Sequence, residues 1–177
     1  SVLPGSGFRA PSYSLMDRRD PIQPALVAPH LLAPMKTTHV CASDTEERWL
    51  LFDASQHVLG RMASTIAKRL MGKDRPTWTP SEGGNTHVVV INADQPQLTG
   101  AKRQQKEYAH HTGYPGGRRV ISVDEMLERR PTDVVTLAVR RMLPKGRLGQ
   151  TTLKSLKVYT GPDHPHAAQN PTLVESL

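Results

Sequence analysis

From residue 47 onward the apolar positions fall into recognisable periods; before it they do not. Trp49-Leu50-Leu51-Phe52-Asp53-Ala54 is a short apolar run that predicts a buried strand. Ser55-Gln56-His57 turns the chain. Leu59, Met62, Ala63, Ile66, Ala67 and Leu70 then recur at spacings of three and four, the stripe of an amphipathic helix, with Arg61, Lys68 and Arg69 around its other side. Gly72 is placed to end that helix. His87 to Ala93 is the strongest strand signal, because Val88, Val89, Val90 and Ile91 are consecutive β-branched residues. Its unbroken apolarity predicts burial on both faces, as in a parallel sheet, and the strand–helix–strand order agrees. Gln97-Leu98-Thr99-Gly100 reads as a short strand ending in a turn. Residues 100–119 read as a basic, glycine-rich loop. Ser122 caps a short helix carrying Val123, Met126 and Leu127, with Glu125 as its capping-box partner. Pro131 suits the first turn of another helix, in which Val134, Val135, Leu137, Ala138, Arg141 and Met142 repeat at helical spacing. Leu153, Leu156 and Val158 predict a last helix-to-strand segment. The expected fold is three-layer α/β with a small, mostly parallel sheet.

Residues 1–46 show neither period and hold six of the 15 prolines. Proline at that density blocks helices and central strands. The expected organisation is an extended Pro-rich arm over 1–46, ordered against a partner, and a folded domain over 47–177. The first residue is Ser rather than Met, which is read as processing or as a missing leading segment.

Charge sharpens the division. The chain of 177 residues has a formal net charge of +7, and the four basic and four acidic side chains of 1–46 cancel. The excess therefore belongs to the body, and it points to a polyanionic partner. The single cysteine, Cys41, excludes an intrachain disulfide and CxxC zinc sites. No apolar run approaches the length of a bilayer-spanning helix.

Three segments carry candidate chemistry. Residues 100–119 combine Lys102, Arg103, Lys106, Arg118 and Arg119 with His110, His111, Tyr108, Tyr114 and the turn Gly113-Tyr114-Pro115-Gly116-Gly117. Cations neutralise phosphates, rings stack on unpaired bases, and glycines let backbone N–H groups approach a phosphate. Residues 140–157 hold Arg140, Arg141, Lys145, Arg147, Lys154 and Lys157 and no acid. A helix C-terminus accounts for Arg140 and Arg141, but not for the cations beyond Pro144. The third segment, Tyr159 to Gln169, contains His164-Pro165-His166. Neither histidine pair has a third ligand or a carboxylate cluster beside it, so no metal is expected. No GxSxG, P-loop or GxGxxG motif occurs. Asp53 and Asn92 end strands; they suit turn caps, or pocket ligands of a small α/β enzyme acting on a phosphorylated substrate.

Residues 49–171 resemble the universal large-subunit ribosomal protein L-thirteen family. The stretches that carry the resemblance are Trp49 to Ala54, Leu59 to Ser64, Leu70-Met71-Gly72-Lys73 and Val88 to Ala93. The most specific are Lys106 and Tyr108 leading into His111-Thr112-Gly113-Tyr114-Pro115-Gly116-Gly117, and Ala138 to Lys145. Leu156 to Tyr159, Gly161, His164-Pro165-His166 and Gln169 complete it. The resemblance implies a structural, non-catalytic protein that binds large-subunit rRNA and supports subunit assembly and translation, with no cofactor and no membrane. It implies a three-layer α/β/α core with a four-stranded parallel sheet. The residues expected to contact rRNA are Arg61, Lys73, Lys102, Arg103, Lys106, Tyr108, His110, His111, Thr112, Gly113, Tyr114, Pro115, Gly116, Gly117 and Arg118. Arg140, Arg141, Lys145, Arg147, Lys157, Tyr159, His164 and His166 join them. The chain departs from the family pattern at Asn85-Thr86-His87, where Gly-Asp is usual, and at Arg141, where Gly is usual. The arm suggests contact with neighbouring large-subunit proteins. Together with the His-Thr-Gly-Tyr-Pro-Gly-Gly form, it suggests a mitochondrial matrix ribosome, with a plastid as the alternative. The competing classes are the small enzyme above and a nonribosomal RNA-binding regulator.

Overall fold

The computed structural model describes residues 39–175. Residues 1–38, most of the expected arm, lie outside the described residues. A four-stranded parallel sheet forms the centre, built from β1 (Arg48–Asp53), β2 (Thr86–Ile91), β5 (Leu156–Val158) and β6 (Thr172–Leu173) in the order β5-β2-β1-β6. Between β1 and β2 runs α1 (Leu59–Leu70). After β2 come a single helical turn α2 (Lys102–Gln105), an antiparallel pair β3 (Glu107–His111) and β4 (Arg118–Ser122), and then α3 (Val123–Arg129), α4 (Pro131–Met142) and α5 (Arg147–Lys154). The α/β class and the parallel four-stranded sheet agree with expectation. Two expectations need correcting. The basic, glycine-rich stretch 100–119, expected as a loop, supplies most of a β-hairpin over residues 107–122. The strand expected over Gln97–Gly100 reduces to one bridge between Gln97 and Val58.

Alternation along the strands sets the core. Leu50 and Phe52 lie in register with Val88 and Val90 and share one face of the sheet. Against that face pack Met62, Ala63, Ile66 and Leu70 of α1 and Val134, Val135 and Val139 of α4, all fully or nearly fully buried. The stripes at three- and four-residue spacing are therefore the buried stripes. Burying side chains of this size stabilises by roughly 1.5–3 kcal/mol each. The opposite face carries Trp49, Leu51, His87 and Val89.

Local chemistry fixes the connections. Ser122 Oγ accepts the Glu125 N–H at 3.3 Å and caps α3, while Pro131 occupies the first turn of α4. At the end of α1 the chain passes through Gly72 at φ +75°. A Cβ built on Gly84 would lie 2.6 Å from the Cα of Gly72, so the two backbones approach in a way that only glycines permit. Residues 39–46, the last part of the expected arm, lie against the body. Asn85 Nδ2 donates to the Thr45 carbonyl at 2.8 Å, Arg75 to the Glu46 carbonyl at 2.8 Å and Thr79 Oγ1 to the Val40 carbonyl at 3.4 Å.

Candidate nucleic-acid interface

The hairpin pairs Tyr108 with Ile121, His110 with Arg119 and His111 with Arg118. Paired residues share a face, so each face carries one His and one Arg. Its six-residue turn is shaped rather than loose. The Thr112 N–H donates to the Gly117 carbonyl at 3.0 Å, and the Gly117 N–H to the Tyr114 carbonyl at 2.9 Å. His111 Nδ1 accepts the Gly113 N–H at 3.0 Å. Gly113 and Gly116 take φ values of +93° and +72°, which L side chains rarely adopt. This turn holds Tyr114 with 76% of its surface exposed. A large aromatic ring fixed in solvent is available for stacking.

At the base of the hairpin, Tyr108 is the buried residue of β3. Lys106 Nζ stands 5.3 Å from its ring centre and Arg141 Cζ 5.6 Å. Both are within cation–π range, and they bring two like charges to one ring. Burial, and then the Arg141 charge, hold the Lys106 pKa below the ordinary lysine value. Burial pushes the Tyr108 hydroxyl pKa up, against the opposite influence of Arg141. Neither cation pairs with a carboxylate among the described residues. These residues edge a groove of about 450 Å³ between the start of α1, the 97–106 segment and the end of α4. Beyond α4, Arg140, Arg141 and Lys145 line a second concavity beside α5.

On the far face of the sheet, Trp49 stacks on His87 at 4.5 Å between ring centres, and His166 lies 5.1 Å from Trp49. Glu47 Oε1 accepts from Trp49 Nε1 at 2.9 Å and faces His87 Nε2 at 3.3 Å. Tyr159 and His166 share a hydrogen bond of 2.9 Å. This cluster ties the C-terminal segment to the sheet. Asp53 has a similarly structural role. Its Oδ1 accepts from the Ser55 N–H at 3.0 Å, Ser55 Oγ at 2.7 Å and Asn92 Nδ2 at 3.0 Å. Among the described residues no three His, Cys, Asp or Glu side chains converge as a metal site.

The family model for Ribosomal protein L13 matches residues 47–165, about two thirds of the chain. The chain belongs to the ribosomal protein L13 family. Three relatives bear the name Large ribosomal subunit protein uL13. The Thermotoga petrophila protein is 49% identical over 140 residues, covering 79% of this chain and 94% of its own length. The Chloroflexus aggregans protein is 49% identical over 137 residues, with 77% and 96% covered. The Geobacter sulfurreducens protein is 49% identical over 142 residues, with 80% and 99% covered.

In this member of the ribosomal protein L13 family the expected site residues fall into separate groups. Lys102, Lys106, Tyr108 and Arg141 come together around the groove. His110 to Arg118 form the hairpin and its turn. Arg140, Lys145 and Arg147 gather at the exposed α4–α5 junction. Arg61 is exposed on α1, and Lys73 lies over the Trp78 ring at 5.4 Å. Arg103 pairs with Asp124 at 3.3 Å. Lys157, Tyr159, His164 and His166 lie half-buried in and after β5. Some residues escaped the sequence reading. Gly60 and Leu98 line the groove, and so does Met142, which is 43% exposed although its spacing assigned it to the core stripe. Trp49 and His87 were read as strand and family-pattern residues, not as a contacting pair. Their stacking follows from β1–β2 register, which no local pattern reveals.

Proposed function

We propose that this protein is a structural, non-catalytic component of the large ribosomal subunit, where it binds rRNA and supports subunit assembly and translation. The observation that carries this reading is the hairpin with its glycine-shaped turn, exposed Tyr114 and flanking His and Arg, beside Lys106 and Arg141, which no carboxylate neutralises among the described residues. Family membership and the bacterial relatives' shared name support it. Against the small-enzyme alternative, which rested on Asp53, Asn92 and the basic loop, the Asp53 carboxylate is occupied by Asn92 and Ser55 as turn-capping donors.

In this proposal the hairpin, the groove edge and the α4–α5 junction meet phosphates and unpaired bases. Residues 1–46 meet neighbouring ribosomal proteins, and the ribosome is that of a mitochondrion. The zero net charge and six prolines of 1–46 favour a protein surface over RNA for that segment. Fractionation of purified mitochondria and plastids tests the compartment.

Binding to a large-subunit rRNA transcript tests the interface. Gly116→Val forces a β-branched residue into φ +72° and displaces the whole turn. It should cost more affinity than Arg119→Ala, which removes one charge. Equal small losses would make the hairpin a diffuse cationic surface and sink the shaped contact.

A further inference from the structure

The groove at the base of the hairpin combines two chemistries. Its floor is apolar: Leu59, Leu98, Ala138 and the ring of Tyr108. Its edge is cationic, with Lys102, Lys106 and Arg141, and among the described residues no acid lines it. Charge alone would suit any anion, and an apolar floor alone any greasy segment. The combination suits a ligand that is flat and apolar at one end and anionic at the other. A nucleotide is such a ligand, and about 450 Å³ lies within the size of small-ligand pockets.

We infer that this groove receives a single unpaired nucleotide of the bound RNA, its base against the Tyr108–Ala138 floor and its phosphate on Lys102, Lys106 and Arg141. Unstacked bases are the parts of RNA that proteins read most readily, by stacking and by contacts to exposed edges. Gln105 lines the same groove and supplies an amide with both donor and acceptor for a base edge. Met142, soft and polarizable, stands 43% exposed at the wall. Lys106 and Arg141 crowd one ring with no counter-charge among the described residues, an arrangement that an incoming phosphate relieves. The inference rests on the rRNA-binding reading above and adds to it a nucleotide-sized receptor distinct from the Tyr114 turn.

Gly60 makes the test practicable. It lines the groove on an exposed helical position, and a Cβ there meets nothing within 4 Å. Gly60→Phe should therefore fill the groove without disturbing α1. Ser64→Phe, one turn along the exposed side, controls for bulk. With the full chain labelled at methionine methyls, uridine and adenosine 5′-monophosphates should shift the Met142 resonance saturably, and inorganic phosphate should not. Gly60→Phe should abolish that shift and weaken binding to the large-subunit rRNA about tenfold, the scale of one lost base stack. Ser64→Phe should do neither.

The inference is overturned if Met142 ignores both nucleotides, if phosphate alone moves it equally, or if Gly60→Phe binds rRNA like the wild type. In each of those cases wild-type binding to rRNA still stands. Failure of the wild type to bind rRNA at all would instead remove the reading beneath it.

Discussion

Lys106 shows how one residue trades stability against binding. Its ammonium is half-buried and beside Arg141, so burial and like charge hold its pKa below the ordinary lysine value. A lysine with a depressed folded pKa costs the free protein stability while charged, and stability rises as pH climbs through the folded pKa. Lys106→Met keeps the apolar stem and removes the charge. It should raise the melting temperature slightly at neutral pH, and reduce the slope of log K against log salt for rRNA by about 0.7–0.9, one phosphate contact. A lower melting temperature with an unchanged slope would show a structural lysine. Asp53 has the opposite sign. Burial pushes its carboxyl up, but donors from Asn92 and Ser55, with His57 nearby, outweigh it and hold the pKa below 3.8. Its contribution is therefore present above that value and lost as pH falls through the folded pKa. Asp53→Ala should flatten the acid limb of stability below about pH 4, measured by thermal unfolding against pH. An unchanged acid limb would mean that the three donors do not favour the charged form.

At the scale of elements, the crossing of Gly72 and Gly84 sets where β2 begins relative to the end of α1. Gly84→Ala places a methyl 2.6 Å from the Gly72 Cα. The backbones must separate, and denaturant unfolding should report a loss of about 1–3 kcal/mol, the usual cost of overpacking. A loss below a few tenths would mean that the crossing relaxes freely. β1, α1, β2 and α4 were legible in the sequence because their apolar residues fall in long runs or in stripes at helical spacing, and most of those residues are buried. The hairpin was not. Glu107-Tyr108-Ala109-His110-His111 buries Tyr108 alone, so no alternation marks it, and its glycines suggested a loop. β6 is two residues long and held by pairing with distant β1, which nothing local announces. The groove was legible in its charges but not in its walls, because Gly60 and Met142 looked like ordinary helix and core positions. The His-Thr-Gly-Tyr-Pro-Gly-Gly turn was legible, since glycine and proline state their own backbone geometry.

Across the whole molecule, charge and core are segregated. The sheet and its helices bury the apolar stripes, and cations gather at the hairpin, the groove edge and the α4–α5 junction, with others spread along α1 and around α3. The segment 1–46 adds no net charge. Such a body has an electrostatic reason to bind RNA and a shaped surface to orient it, and family membership supplies the particle in which to look. The most direct measurement is sedimentation of ribosomes through a salt wash, with the chain quantified in each fraction. The account predicts one copy per large subunit, co-migrating after the wash and absent from small subunits. Most of the chain remaining near the top of the gradient, free of large subunits, would contradict it.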